Sequence, residues 1–213
     1  MQKTKELSAS TIDAYLFDLG GVIVDISPAA AISAFSKLGL SNLEEQITHG
    51  HHNGLFKQYE LGAVSTQDFI RQIKDLLPHT TTDEQIIDAW NQMLVELPLE
   101  RLQIIESLKE QVPVYLLSNT NELHRSTFVR MAYGIENIEA YFTKTFYSFE
   151  IKHSKPDKGA FEYVIANTGI KPERTLFLDD SQLNLDVADE LGFQTVLVSK
   201  NDPMTDILGK MST

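Results

Sequence analysis

Four groups of residues, scattered along the 213-residue chain, carry side chains that belong to one kind of chemistry. Asp18 follows four apolar residues, Ala14 to Phe17, and a carboxylate placed there is costly to bury unless something pairs with it. Ser118-Asn119-Thr120 closes the apolar run Val112 to Leu117 with a hydroxyl and an amide. Lys155 stands before Pro156, and Asp179-Asp180 closes the run Thr175 to Leu178. A nucleophile-sized carboxylate, a hydroxyl with an amide, an ammonium and an acidic pair form the inventory for phosphoryl transfer. In that reaction, positioning and charge neutralisation supply most of the catalysis. The formal net charge of −12 serves solubility, and it also sets a condition. An acidic protein that handles an anionic substrate must concentrate positive charge locally, as a divalent cation and one or two well-placed lysines do.

The elements that position these residues are legible in the apolar patterning. Asp13 to Asp18 reads as a buried strand punctuated by Gly20-Gly21, and Val22 to Ile26 is a second short apolar run. Pro28 opens a helix that stops at Gly39. From there to about Val95 only helical patterns are found. Ser65 to Asp68 resembles a capping box before Phe69, Ile70, Ile73, Leu76 and Leu77, and Thr82 can cap a helix carrying Ile86, Ile87, Trp90 and Leu94. After Pro98 strands and helices alternate. A helix with Leu102, Ile105 and Leu108 precedes the strand Val112 to Leu117, and a helix follows near Asn121 to Met131. A strand near Thr143 to Tyr147, a helix near Asp157 to Asn167 and the strand Thr175 to Leu178 come next. A helix stopped by Gly192 and the strand Thr195 to Val198 complete the series. Near-continuous apolar strands alternating with helices imply a parallel sheet covered on both faces. The expected architecture is α/β: a Rossmann-like core from residues 1–27 and 96–213, with a helical cap inserted at 28–95. In such sheets ligands bind at the carboxyl ends of the strands, where all four groups fall.

The order FDLGGVIVD, LLSNTN, KPD and LFLDDSQLN resembles the four motifs of the haloacid dehalogenase-like hydrolase superfamily, and the helical insert lies where C1-capped members carry theirs. The resemblance implies that Asp18 is a nucleophile forming an aspartyl-phosphate that water then hydrolyses. It implies Mg²⁺ held by the second oxygen of Asp18, the Gly20 carbonyl and Asp180, with Asp179 acting through a metal-bound water; hard oxygen ligands suit that cation. Strand alternation independently makes the two aspartates inequivalent. Ser118 and the Asn119 backbone N–H would hold phosphoryl oxygens, Lys155 would neutralise Asp18 and the phosphate, and Asn184 could orient either acidic group. The partner implied is a small phosphorylated metabolite.

Gly20 departs from the pattern. Many phosphatases of the superfamily carry an aspartate two residues after the nucleophile, which protonates the leaving group and then activates water. General acid–base catalysis is worth ~10²–10⁴-fold, so its loss should slow turnover without abolishing it. A mutase is disfavoured, because it needs that acid. A haloacid dehalogenase, which lacks it too, is a rival, but the acidic pair places unneeded charge beside a carboxylate substrate. A weakly active or non-catalytic binder of phosphorylated ligands is another rival. The glycine-bearing run also resembles a branch that includes α-D-glucose-1-phosphate phosphatases, and an anomeric phosphate has an easier leaving group. Asp25 reads as a hinge or capping residue, His124 as a helix-face residue near the cleft, and Trp90 as packing within the cap. His49, His51 and His52 have poor spacing for one metal on a helix. Substrate choice falls to the cap, around Phe56, Tyr59 and Glu60.

Other classes are excluded on composition. With 42% apolar and 23% charged residues the chain reads as an ordinary globular protein, and no basic stripe suits nucleic acid. No apolar run approaches the ~18 residues of a membrane span. Met1 to Ser10 lacks the apolar stretch of a signal peptide, and the chain has no cysteine, so no disulfide framework; a cytoplasmic address is expected. Monomer and homodimer are both compatible with the sequence.

Overall fold

The structure is a computed structural model that describes residues 12–40 and 54–211. His49, His51 and His52, and the N-terminal segment Met1 to Ser10, lie outside the described residues.

Three strands make the centre of the sheet because every residue in them is buried: β1 (Ala14–Phe17), β4 (Val114–Ser118) and β6 (Thr175–Asp179). Together with β5 (Lys144–Tyr147) and β7 (Gln194–Leu197) they form a parallel sheet in the order β5-β4-β1-β6-β7. The period of two divides the side chains between two cores. Tyr15, Phe17, Leu116 and Leu178 enter one apolar cluster, whereas Leu16, Tyr115, Leu117 and Phe177 enter the other. Both faces are therefore buried, as the apolar strand runs require. The chain builds outward from β1 to β5, returns across β1, and builds outward again to β7. The carboxyl ends of β4, β1 and β6 meet where that direction reverses. Among the described residues, no helix is long and apolar enough to cross a membrane.

A third cluster draws only on the inserted segment: Phe35, Phe56, Tyr59, Phe69, Ile73, Ile86 and Trp90 are among its members. It is built from α1 (Pro28–Lys37), α2 (Leu55–Glu60), α3 (Thr66–Lys74) and α4 (Asp83–Asn91). Thr82 caps α4 in a full capping box with Gln85. At α3 the resemblance is half realised: Ser65 Oγ accepts from Asp68 N–H at 3.1 Å and donates to Asp68 Oδ2 at 2.8 Å, a contact between two side chains.

Two expectations need correction. The segment is not wholly helical up to Val95, because α4 ends at Asn91 and β3 (Leu94–Glu96) pairs antiparallel with β2 (Asp25–Ile26). Leu94 thus leaves the helical stripe for a two-stranded ribbon that joins the insert to the sheet. Asp25 does sit in this ribbon, and Arg101 Nη1 donates to it at 2.8 Å, from α5 (Leu99–Lys109). The helix expected to run to Met131 is shorter: α6 (Glu122–Phe128) stops three residues earlier. Among the described residues the remaining α-helices are α7 (Ser148–Ile151), α8 (Lys158–Thr168), α9 (Gln182–Glu190) and α10 (Met204–Met211).

Insert and sheet domain meet across a dense seam. His124 is buried there, stacked on Trp90 with ring centroids 4.6 Å apart. Its Nε2 donates to the Trp90 carbonyl at 3.2 Å, which leaves Nδ1 to accept from Asn121 Nδ2, also at 3.2 Å. Asn121 Oδ1 receives the His124 N–H and the Trp90 Nε1–H. The network thus requires neutral histidine, and burial pushes His124 down to about 4, against the Trp90 hydrogen bond. The folded state resists a proton that the unfolded chain accepts near 6.5, so stability is full above that pH and falls as the pH drops towards 4. At ~1.4 kcal/mol per unit, the wild type loses about 2 kcal/mol through His124 between pH 7 and pH 5. Chemical denaturation of wild type and His124→Gln at both pH values checks this: the variant should lose correspondingly less.

Candidate active site

Asp18, Ser118 and Asp179 reach the site from the ends of strands, and Lys155 reaches it from the loop between α7 and α8. Asp18 follows β1 directly, and its backbone N–H extends the ladder to the Leu178 carbonyl at 2.9 Å. The chain then turns sharply. Ile23 and Val24 both donate to the Leu19 carbonyl at 2.8 Å, and Gly21 donates to that of Val24. Gly21 has φ +76°, and a Cβ there would lie 2.2 Å from Asp180 Oδ2. Only glycine lets this turn close against Asp180. Gly20 is different: its φ is unexceptional, and a Cβ would meet the Ile26 side chain at 3.2 Å.

Lys155 is the hub. Its side chain is 1% exposed, and its ammonium lies 2.7 Å from both Asp18 Oδ1 and Asp179 Oδ2. Asn119 clamps the lysine backbone at two points, accepting its N–H at 2.9 Å and donating to its carbonyl at 2.8 Å. Asp179 is fully buried and richly satisfied: Ser181 N–H reaches Oδ1 at 2.8 Å, and Asn184 Nδ2 lies 2.9 and 3.1 Å from its two oxygens. Asp180, one residue past the strand, is exposed. The inequivalence expected from alternation is therefore present. The oxygens of Asp18, Asp179 and Asp180 nevertheless lie within 4.8 Å of one another, so the two neighbours converge rather than facing opposite sides. Ser118 is buried, and among the described residues its hydroxyl has no partner nearer than the Asn119 carbonyl at 3.5 Å.

Charge explains the site's titration. Burial pushes Asp18 up to about 7, opposed by Lys155 and aided by Asp179 and Asp180. Asp180 is also raised, by partial withdrawal of its carboxyl from water against the Gly21 turn and then by Asp179. Burial alone would lower Lys155, but the carboxylates of Asp179 and Asp18 outweigh it and hold the ammonium charged. Three carboxylates face one ammonium, and hard oxygen donors with surplus negative charge suit a divalent cation such as Mg²⁺. Asp18 and Asp180 have oxygens to spare for it; those of Asp179 are committed to Lys155, Asn184 and Ser181.

Asp18, Asn119, Lys155, Asp179, Asp180 and Asn184 are joined here, with Ser118 at the neighbouring strand end and Gly20 in the turn after Asp18, but several contacts were not expected. Lys155 bridges Asp18 to Asp179 and does not serve Asp18 alone. Of the two acidic groups open to it, Asn184 orients Asp179. The Asn119 side chain holds Lys155. Ser148 was missed altogether, although its Oγ accepts the Thr120 N–H at 3.0 Å and braces the loop after Ser118. His124, on the first turn of α6, packs into the seam against Trp90. Phe56 and Tyr59 are buried in the insert's cluster and are unavailable to a substrate. Their i, i+3 spacing was the signal for that role.

Comparison with known proteins agrees with this geometry. Residues 12–192 match the family model for haloacid dehalogenase-like hydrolases. A D-ribitol-5-phosphate phosphatase of Bacteroides thetaiotaomicron is 36% identical over 182 residues, covering 84% of this chain and 88% of that one. A crystal structure of a family enzyme from the same organism, in complex with magnesium and inorganic phosphate, superposes with a TM-score of 0.85 at 36% identity, covering 92% of this chain and 98% of that one. A family hydrolase of Porphyromonas gingivalis gives a TM-score of 0.88 at 29% identity, covering 95% and 98%. With its motif residues joined in one metal-competent cluster, this chain belongs to the haloacid dehalogenase-like hydrolase family.

Proposed function

We propose that the chain is a Mg²⁺-dependent phosphoric monoester hydrolase acting on a small sugar or polyol phosphate, with Asp18 as nucleophile. The observation that carries this reading is the buried Asp18–Lys155–Asp179 array with Asp180 beside it. Lys155 holds Asp18 in one rotamer and shields the approach of a phosphate dianion to a carboxylate. Asp18 then attacks phosphorus, and the bond to the leaving alcohol breaks as the aspartyl-phosphate forms. The Ser118 hydroxyl, free of a close partner, and the Asn119 N–H are the donors for the equatorial oxygens. Mg²⁺, held by Asp18, Asp180 and the Gly20 carbonyl and reached by Asp179 through water, would supply charge neutralisation at the phosphoryl group. The insert 28–95 acts as a cap over residues 1–27 and 96–213, excluding water. A dehalogenase reading is disfavoured by surplus negative charge beside a substrate that is itself a carboxylate.

The ribitol-phosphate relative is named for an ester of a primary alcohol, which shifts preference from an anomeric phosphate to an open-chain polyol phosphate. The deciding experiment is phosphate release from D-ribitol 5-phosphate and from hexose 1- and 6-phosphates, with and without Mg²⁺. Turnover that needs Mg²⁺ and disappears in Asp18→Asn supports the reading. Metal-independent turnover, or turnover surviving that substitution, contradicts it.

Gly20 gives a separate prediction. A Cβ at residue 20 would lie 3.2 Å from Ile26 Cδ1, so the Ile26 side chain must give way by a few tenths of an ångström to admit one. Gly20→Asp alone should therefore raise turnover of an alkyl phosphate by less than threefold, far short of the ~10²–10⁴-fold that a placed acid supplies. The double variant with Ile26→Ala should exceed the single one. A large gain from Gly20→Asp alone would show that the seat is open.

A further inference from the structure

The loop that carries Lys155 is held from two sides. On the side of the sheet domain, Asn119 clamps the Lys155 backbone at 2.8 and 2.9 Å. On the other side stands the insert. Lys57, on α2, donates to Ser154 Oγ at 2.7 Å, and Ser154 is the residue directly before Lys155. Ser154 is buried, and among the described residues the Lys57 ammonium is what its hydroxyl meets. A buried hydroxyl needs such a partner, and a charged donor makes the bond roughly twice as strong as a neutral one.

Two further bonds keep α2 in register with the same segment. Ser148 Oγ donates to the Glu60 carbonyl at 2.6 Å, and Lys152 Nζ donates to the Gly62 carbonyl at 2.8 Å. Gly62 has φ +61°, and a Cβ there would lie 2.3 Å from the Phe149 carbonyl oxygen, so the two backbones are in contact. Lys57, Glu60 and Gly62 of the insert thus meet Ser154, Ser148 and Lys152 of the sheet domain. The helix explains the division of labour: Phe56 and Tyr59 enter the insert's own cluster, which leaves Lys57 and the end of α2 to the loop. The ammonium of Lys57 is bonded to Ser154, whereas Asp18 is bonded to Lys155, so any influence of Lys57 on the nucleophile runs through the loop.

We propose that Lys57 is a positioning residue, fixing the loop at Ser154 so that the Lys155 ammonium stands between Asp18 and Asp179. The inference rests on the phosphatase reading and deepens it, because it makes the insert a support of the phosphoryl-transfer site as well as its cover. The geometry sets the size of the effect. Both bonds of Lys155 to the carboxylates are 2.7 Å long, and a displacement of ~1 Å in such an array costs about 10²-fold in rate. Asn119 still holds the Lys155 backbone when Lys57 is removed, so the loss is partial.

The test compares wild type with Lys57→Met, Ser154→Ala and the double variant, at saturating Mg²⁺, on p-nitrophenyl phosphate and on the hydroxylated ester that wild type cleaves best. Lys57→Met should lower kcat about tenfold on both esters and leave KM within about threefold, because the loop acts at phosphorus whatever the alcohol. Ser154→Ala should do the same, and the double variant should be no slower than the slower single one, since both remove one bond. Should Lys57→Met fail to fold, the kcat-against-KM split of Ser154→Ala decides alone. Losses that multiply to about a hundredfold in the double variant would overturn the proposal. An unchanged kcat in the single variants, with or without a lowered Tm, would overturn it too and leave the phosphatase reading standing. A loss confined to the hydroxylated ester and carried by KM would make Lys57 a substrate contact and equally overturn it. A wild type with no Mg²⁺-dependent turnover of any ester removes both the reading and the inference.

Discussion

Asp18→Asn should abolish phosphatase turnover, by a factor on the order of 10⁴ or more, without weakening the fold. The two halves of this expectation have different causes. An amide is no nucleophile at phosphorus, so the covalent route closes outright. Stability behaves differently because Asp18 is an expensive residue to fold: it is 9% exposed, and burial drives its carboxyl up to about 7. Asparagine has the same shape and no charge to desolvate, and Lys155 keeps its bond to Asp179 at 2.7 Å. Denaturation in chelator should therefore give a midpoint equal to or above wild type, the pattern of a functional residue that costs stability. A midpoint several degrees lower would mean that Asp18 is a structural partner of Lys155 first.

Lys155→Met should be equally inactive and also much less stable. The ammonium stands 2.7 Å from two carboxylates on a side chain that is 1% exposed, and methionine replaces its volume but not its charge. Asp18 and Asp179 are then left facing each other with Asp180 close by. Removing one member of a buried ion pair costs about 3–5 kcal/mol, because the partner's charge stays buried without compensation. Urea denaturation measures it directly, and a loss below about 1 kcal/mol would contradict the arrangement. The contrast matters more than either variant alone. Removing a negative charge from the array leaves the fold intact; removing the one positive charge does not.

How much of this was legible beforehand follows from the range of the forces involved. β1, β4 and β6 announce themselves because burial on both faces demands an unbroken apolar run, and Asp18, Ser118 and Asp179 stand out as the polar residues that end those runs. The β2–β3 ribbon leaves no such trace: it has only two and three residues, and Asp25, Val95 and Glu96 are not buried. Such a strand has no alternation to read. The helix Met204–Met211 was passed over as well, because it follows the polar turn before Pro203 with few neighbours to set a period. Within the site, residue types were readable and bonds were not. Lys155 and Asp179 are 24 residues apart, and Trp90 and His124 are 34 apart. Nothing local says that one ammonium will serve two carboxylates, or that a histidine beside the Ser118 motif will turn to the insert. Gly20 and Gly21 make the same point side by side. Both look like turn residues, yet Gly21 is required by its φ of +76° and by Asp180, while Gly20 sits beneath Ile26.

In the proposed reaction Asp18 takes the phosphoryl group. The most direct measurement is an acid quench during turnover of a phosphate-labelled substrate, followed by peptide mapping. One labelled peptide is expected, containing Asp18, with the alkali and hydroxylamine lability of an acyl phosphate, and no label in Asp18→Asn. Label on another residue, or steady turnover with no covalent label formed even in single-turnover quenches, would contradict it.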